Sequence, residues 1–265
     1  MSGRAAKKPD EPRLDLDATR EKLARLGLAH ASEILGEKLT EAAREEVPAH
    51  RFLDRFLDEE LASREERRIR TSLRLSGLPT GQTLASFDFA FQPSIERGRI
   101  ETLATGAWIR AKETVLIQGP PGVGKTHLAV ALAVRAVECG FSVAFYRLEE
   151  LIAAMRRDAD VPPNRLRRRK YVNVALLVID EVGFEPMDRQ EASLFFRLIS
   201  YRYGKGSVLI TTNKGIKDWP EVLAGDEVLA SAILDRLLHK SHVLNIKGRS
   251  YRLRDLEQAA LGRSG

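Results

Sequence analysis

The chain has 265 residues, with 43 Lys and Arg against 37 Asp and Glu, a formal charge of +6 and a single cysteine, Cys139. One cysteine excludes an intrachain disulfide framework and suits a reducing cytoplasm. No apolar run approaches the roughly 20 residues of a membrane helix, so no membrane partner is expected. The opening MSGRAAKKPDEPR lacks an apolar stretch and a cleavage signal. The modest positive charge leans only mildly toward a polyanionic partner.

Residues 1–13 are charged, carry two prolines and are expected to form a disordered tail. Residues 14–76 have helical periodicity and no strand signal, which predicts a small helical domain. Leu16, Leu23, Leu26 and Leu28 mark a first helix. Ala31 to Glu46 forms a second, stopped before Pro48. A third starts with Phe52, Leu53, Phe56, Leu57 and Leu61 and runs to about Leu75. Its outer face is expected to carry Glu60 with Arg64 and Glu66 with Arg70, both in the favourable i,i+4 order. Residues 77–112 read as a linker and the start of the next domain, opening on Gly77-Leu78-Pro79-Thr80-Gly81. Within it Phe87 and Phe89 either cover one side of a bound base or belong to the core.

From residue 113 to 265 strands and helices alternate. Strands are expected over 114–118, 142–147, 174–180, 207–212 and 242–246. Helices are expected over 125–138, 148–157, 188–203 and 227–239, with a last one from about 250 to 260. Alternation of this kind predicts an α/β fold, a parallel sheet covered by helices on both faces.

The first strand leads into Gly119-Pro120-Pro121-Gly122-Val123-Gly124-Lys125-Thr126, which fits G-x-x-x-x-G-K-[ST], and a helix follows. Glycines let the backbone turn consecutive N–H groups toward a triphosphate, and the helix N-terminus adds its positive dipole end. Lys125 is placed to reach the β and γ phosphates, and Thr126 to hold Mg²⁺ through its hydroxyl. ATP and Mg²⁺ are therefore the expected cofactors. Ala175-Leu176-Leu177-Val178-Ile179 reads as a central strand and ends in Asp180-Glu181. Ligands of open α/β sheets bind at such strand ends. Asp180 is placed to hold the metal's hydration shell, and Glu181 to orient and deprotonate a water. Ser207 to Thr212 is a further strand, ending in Asn213.

This order of motifs resembles the AAA+ ATPases. Within them the segment from Thr83 to Leu256 is similar to IstB, the ATPase helper of certain bacterial insertion sequences, and to the helicase loaders DnaC and DnaI. The stretches that carry the likeness are Phe87-Asp88-Phe89, GPPGVGKTHLA, LLVIDEVGF, AILDRLLHKSHV and GRSYR. The resemblance implies an AAA+ P-loop NTPase whose C-terminal lid is reduced, because few residues follow the last strand. It implies that Asn213 is the first sensor, polarising the water with Glu181. It makes Arg236 an arginine finger serving the neighbouring subunit, and Arg252 a second sensor within its own. Without it, Arg236 reads as a surface arginine paired with Asp235 or a neighbour, and Arg252 as a charge on an exposed helix face. An arginine acting in trans implies a homo-oligomer, a ring or spiral.

Arg156, Arg157, Arg165, Arg167, Arg168, Arg169 and Lys170 form the densest basic run, between the second and third strands. Lys and Arg alone suffice for phosphate contacts with DNA, which are salt-dependent and indifferent to sequence. The rival is a solvated loop. With the likeness to IstB, which implies the transposase, the expected function is an ATP-dependent, DNA-binding ATPase that helps a partner transposase select duplex target DNA. Three alternatives remain open at this level: a DnaC-type helicase loader, a P-loop kinase of small metabolites, and a binding module that holds ATP as a structural switch.

Overall fold

The computed structural model of the chain describes residues 15–253. The expected N-terminal tail and most of the expected final helix lie outside them. Contacts divide the chain into two compact units, one ending at Arg68 and one beginning at Ile69.

The first unit is helical: α1 (Leu16–Arg25), α2 (Ala29–Arg44) and the first part of α3 (Ala49–Ser76). Asp15 starts α1 by accepting from the amides of Asp17 and Ala18, as an N-cap aspartate does. Ala31, Leu35 and Phe56 are buried together, with Leu16, Leu23, Leu28, Ile34 and Phe52 packed around them. Leu26 falls past the end of α1 and is exposed, as are Leu53, Leu57 and Leu61 on α3.

Glu60 departs from expectation. It is not on an outer face but buried, 1% exposed. Its carboxylate accepts from the Ala31 amide at 2.8 Å in the first turn of α2, where a helix leaves N–H groups unpaired. Arg64, four residues on, donates to the same carboxylate at 2.8 Å and also reaches the carbonyl of Gly27 at 2.7 Å. Burial alone pushes the Glu60 carboxyl up, but the Ala31 amide and the Arg64 and Arg67 guanidiniums outweigh it and hold it below its ordinary value.

The second unit holds a five-stranded parallel sheet: β1 (Thr114–Gln118), β2 (Val143–Arg147), β3 (Leu176–Val182), β4 (Ser207–Thr212) and β5 (Ser241–Asn245), in the order β2-β3-β4-β1-β5. Alternate side chains point to opposite faces. Val115, Ile117, Leu176, Val178 and Leu209 pack with α4 (Arg97–Ala104), α5 (Ala107–Arg110) and α6 (Lys125–Glu138). Leu116, Leu177, Ile179, Val208 and Ile210 pack with α7 (Leu148–Arg157), α10 (Arg189–Arg202) and α12 (Glu227–Leu238). Between β2 and β3 lie α8 (Pro163–Leu166) and α9 (Lys170–Asn173), and α11 (Trp219–Val222) precedes α12. No described helix is long and apolar enough to cross a membrane.

Four strands fall within a residue of expectation. β3 does not: it starts at Leu176 rather than 174 and runs through Glu181 to Val182. At its start, the buried guanidinium of Arg202 collects the carbonyls of Tyr171, Val172, Val174, Ala175 and Ser207. Ala175 still accepts from the Ser207 amide, and the paired register begins at Leu176. At its end, the pairing with β4 shifts register between Ile179 and Val182. The helices α4 and α5 within 77–112 also go beyond expectation; each is too short for its periodicity to show in sequence.

Glu60→Ala should destabilise the protein by about 2 kcal/mol, by removing a charge-assisted hydrogen bond and stranding a buried amide. Because the folded-state pKa of Glu60 is lowered, its contribution is fully present above the unfolded value and fades as pH falls through the folded one. The difference between the wild-type and variant melting temperatures should be widest near neutral pH and narrow in acid.

Candidate functional site

Four segments meet at the C-terminal ends of β1, β3 and β4 around a cleft of about 510 Å³. They are the 119–126 loop, the end of β3 with Glu181, the end of β4 with Asn213, and the C-terminal segment with Tyr251 and Arg252. Residues 80–92 supply the remaining wall, including Phe87, Asp88 and Gln92.

The loop takes a shape only glycine tolerates at key points. Gly124 caps α6 at φ 96°, and a Cβ there would lie 2.8 Å from the Phe87 ring. Gly122, at φ 80°, lies so close to Ser250 that a Cβ would come within 2.0 Å of its hydroxyl. The C-terminal segment is stitched to this loop, since the Tyr251 amide donates to the Gly122 carbonyl at 2.9 Å. Arg252 is thereby carried to the cleft. Burial is the main cause lowering the Lys125 pKa, and Arg252 stands near enough to add to it; Asp180 and Glu181 act the other way. The Lys125 ammonium is held ready by the carbonyls of Gly119 and Pro120, both at 2.8 Å.

Asp180 is 2% exposed. The Thr126 hydroxyl donates to its carboxylate, 3.0 Å from one oxygen and 3.1 Å from the other. The Thr211 hydroxyl on β4 donates to it as well, in a short contact, and accepts from the Glu181 amide at 3.0 Å. Thr211 thus fixes the direction of both acidic residues. In sequence it reads as an ordinary strand residue, since its role depends on β4 lying beside β3. Glu181 has the left-handed φ of 64°, rare for a residue with a side chain. The irregularity turns its carboxylate out of the sheet, where it is 47% exposed at the side chain and 3.7 Å from the Arg147 guanidinium at the end of β2. Nothing in the sequence singles out Arg147 for this position.

His127 is a third residue whose role the sequence does not show. Its Nε2 lies 2.9 Å from the Thr83 carbonyl, and its ring meets Phe87 edge-on. It ties the 83–87 segment to the start of α6. Phe87 and Phe89 both pack against the core, and Phe87 also lines the cleft.

Arg236 stands apart. It is on α12, outside the cleft, with its guanidinium 2.6 Å from the Ala232 carbonyl and over the Phe196 ring. Among the described residues it forms no ion pair with Asp235 or any other carboxylate. The basic run is divided. Arg156 bonds Asp188 at 2.8 Å and Glu191 at 3.1 Å, Arg169 bonds Asp158 at 2.6 Å, and Lys170 donates to the Leu75 carbonyl at 2.9 Å. Arg157, Arg165, Arg167 and Arg168 are exposed and form no ion pair among the described residues.

Residues 21–259 match the family model described as IstB-like ATP binding protein. The chain is 46% identical to a Pseudomonas aeruginosa protein named as the putative ATP-binding protein of insertion sequence IS21, over 90% of each chain. It is 39% identical to a Geobacillus stearothermophilus protein named for insertion sequence IS5376, over 81% of this chain and 85% of that one. Among solved structures, DnaI superposes with a TM-score of 0.50 and 19% identity, over 62% of this chain and 90% of DnaI, a likeness of fold.

Lys125→Ala should weaken ATP binding by about 100-fold or more, because the phosphates lose their half-buried cation. Titration with a fluorescent ATP analogue checks this, with the far-UV spectrum unchanged as evidence that the chain still folds.

Proposed function

The chain belongs to the IstB-like ATP-binding proteins, and on that footing we propose that it is an oligomeric ATPase that binds duplex DNA and helps a transposase of the same insertion sequence select its target. The observation that carries the reading is the convergence of Lys125, Glu181, Asn213 and Arg252 on one cleft, with Asp180 bound to Thr126 behind it. The relatives' association with insertion sequences supports the transposition role, and with it a cytoplasmic setting.

The Thr126 hydroxyl and the Asp180 carboxylate are hard oxygen donors already side by side, which suits Mg²⁺. These two residues would hold the ion, which would supply charge neutralisation at the phosphates. The chain's own groups do the rest. Loop amides and Lys125 hold the triphosphate, and Arg252 adds a second cation in the same subunit. Glu181 accepts a proton from the attacking water as it adds to the γ phosphorus in line with the departing ADP, and Asn213 orients that water. Arg236 lies outside its own cleft, so we assign it to the nucleotide of an adjacent copy.

Glu181→Gln should bind ATP but not turn it over, since an amide cannot take the water's proton. Arg236→Ala should also bind ATP and turn it over about 10³-fold more slowly. Mixing the two inactive proteins should recover activity where an intact Glu181 meets an intact Arg236. A mixture that co-assembles yet stays inactive would exclude the trans role.

The exposed members of the basic run are assigned to DNA phosphates. Removing charge at Arg165, Arg167 and Arg168 together should weaken binding about equally for unrelated duplexes. It should also flatten the dependence of affinity on salt, with a slope smaller by roughly 0.9 for each phosphate no longer neutralised. A weakening confined to one sequence would contradict this. Tighter binding to single strands than to duplex would favour a loader-type role instead.

A further inference from the structure

Two faces of the second unit carry charge that the described residues do not balance. The first is at the N-terminal ends of the strands. Lys112 stands just before β1 and Lys240 just before β5. With Arg236, His239 and the buried Arg202 they line a pocket of about 250 Å³ that has no carboxylate in its wall. Arg202 is bonded only to carbonyls, and its Nε has no partner. Lys112 and Lys240 are exposed and form no ion pair among the described residues. Glu113, next to Lys112, is turned to His242 instead, so the cations of the pocket face no carboxylate across it and add up to a positive local field.

The second face lies at the opposite end of the strands and toward the opposite edge of the sheet, where β2 is outermost and β5 is far away. Here a groove of about 300 Å³ runs beside the nucleotide cleft and is lined by Glu149, Glu181, Glu185 and Glu191, with Arg147 among them. Arg147 is paired with Glu181, and Glu191 with Arg156. Glu149 and Glu185 are exposed and form no ion pair among the described residues. Phe184, 72% exposed, stands between Glu181 and Glu185 and borders both groove and cleft. An exposed aromatic beside the unpaired Glu185 suits a contact with another chain better than a solvated loop.

Faces of opposite sign at opposite ends of one unit cannot meet within a copy. They meet between copies arranged head to tail, as a heterologous contact requires. We propose that Glu149 and Glu185 of one copy seat against Lys112 and Lys240 of the next, and that this ion pairing sets the register that holds the incoming Arg236 at the nucleotide cleft. The inference rests on the trans role assigned to Arg236 and adds to it the surface that delivers the arginine. It also gives ATP a way to drive assembly. The triphosphate adds negative charge beside a groove that is already acidic, so the basic face of a second copy binds more tightly when nucleotide is present. Salt should loosen the contact, because rim charges are screened within about 8 Å at physiological ionic strength.

Charge reversal tests the pairing. Lys240→Glu and Glu185→Lys lie on exposed positions outside the machinery that binds ATP, and each variant should bind a nonhydrolysable ATP analogue as the wild type does, which shows that it folds. Sedimentation velocity with that analogue should show each variant alone needing about tenfold more protein, or greater, to assemble, because like charges now face each other. An equal mixture of the two should assemble again. In an alternating arrangement the reversed basic face meets the reversed acidic face, and the native faces meet each other. Carrying both reversals on one chain should restore assembly too. If the single variants assemble like wild type, or if the mixture is as poor as either alone, the pairing is wrong. The surface and the trans arginine fail separately. Recovery of turnover on mixing Arg236→Ala with Glu181→Gln, without recovery in the charge-reversed mixture, leaves the trans arginine standing and overturns this surface. No recovery in either removes the trans reading itself.

Discussion

Asp180 holds together the three elements on which the cleft depends. A buried carboxylate is costly unless hydrogen-bonded, and here its partners are the hydroxyls of Thr126 on α6 and Thr211 on β4. The same Thr211 hydroxyl takes the Glu181 amide. One small network therefore fixes the start of the phosphate-loop helix, the spacing of two central strands and the backbone of the residue that faces water. It also accounts for the irregular end of β3. The register shift and the positive φ of Glu181 let adjacent residues point in different directions, Asp180 inward and Glu181 outward.

The opposite end of the sheet is organised by a different buried charge. Arg202 gathers five carbonyls where the chain enters β3 and β4. Burial with no carboxylate beside it pushes its guanidinium down to about 10, still cationic at neutral pH. The two ends of one parallel sheet thus centre on different buried charges, a carboxylate where β3 finishes and a guanidinium where it begins. Arg236 lies on the Arg202 side, away from the cleft.

Much of this was legible from the residues alone. GPPGVGKT, the apolar run ending in Asp180-Glu181 and the strand ending in Asn213 are local patterns: a glycine loop before a helix, and polar residues closing buried strands. Backbone conformation and burial period encode them directly, so the sheet, its helices and the nucleotide-loop residues follow from sequence. The reading of Glu60 failed because i,i+4 spacing reports which residues are neighbours on a helix, not whether that face meets another helix. The roles of Thr211, Arg147, His127 and Arg202 were invisible for a related reason. Each acts on a residue 28 to 44 positions away, and chain separation carries no information about contact. The basic run shows the same limit. Seven cations read alike in sequence, but Arg156, Arg169 and Lys170 find partners only once α7, α9, α10 and the end of α3 are folded together. The sequence by itself determined the element order, the parallel sheet and the place of the 119–126 glycine loop between β1 and α6, because those depend on local periodicity and residue type. Tertiary structure alone decided which charges are neutralised and which are left facing outward, because that depends on what distant segments bring within a hydrogen bond's reach.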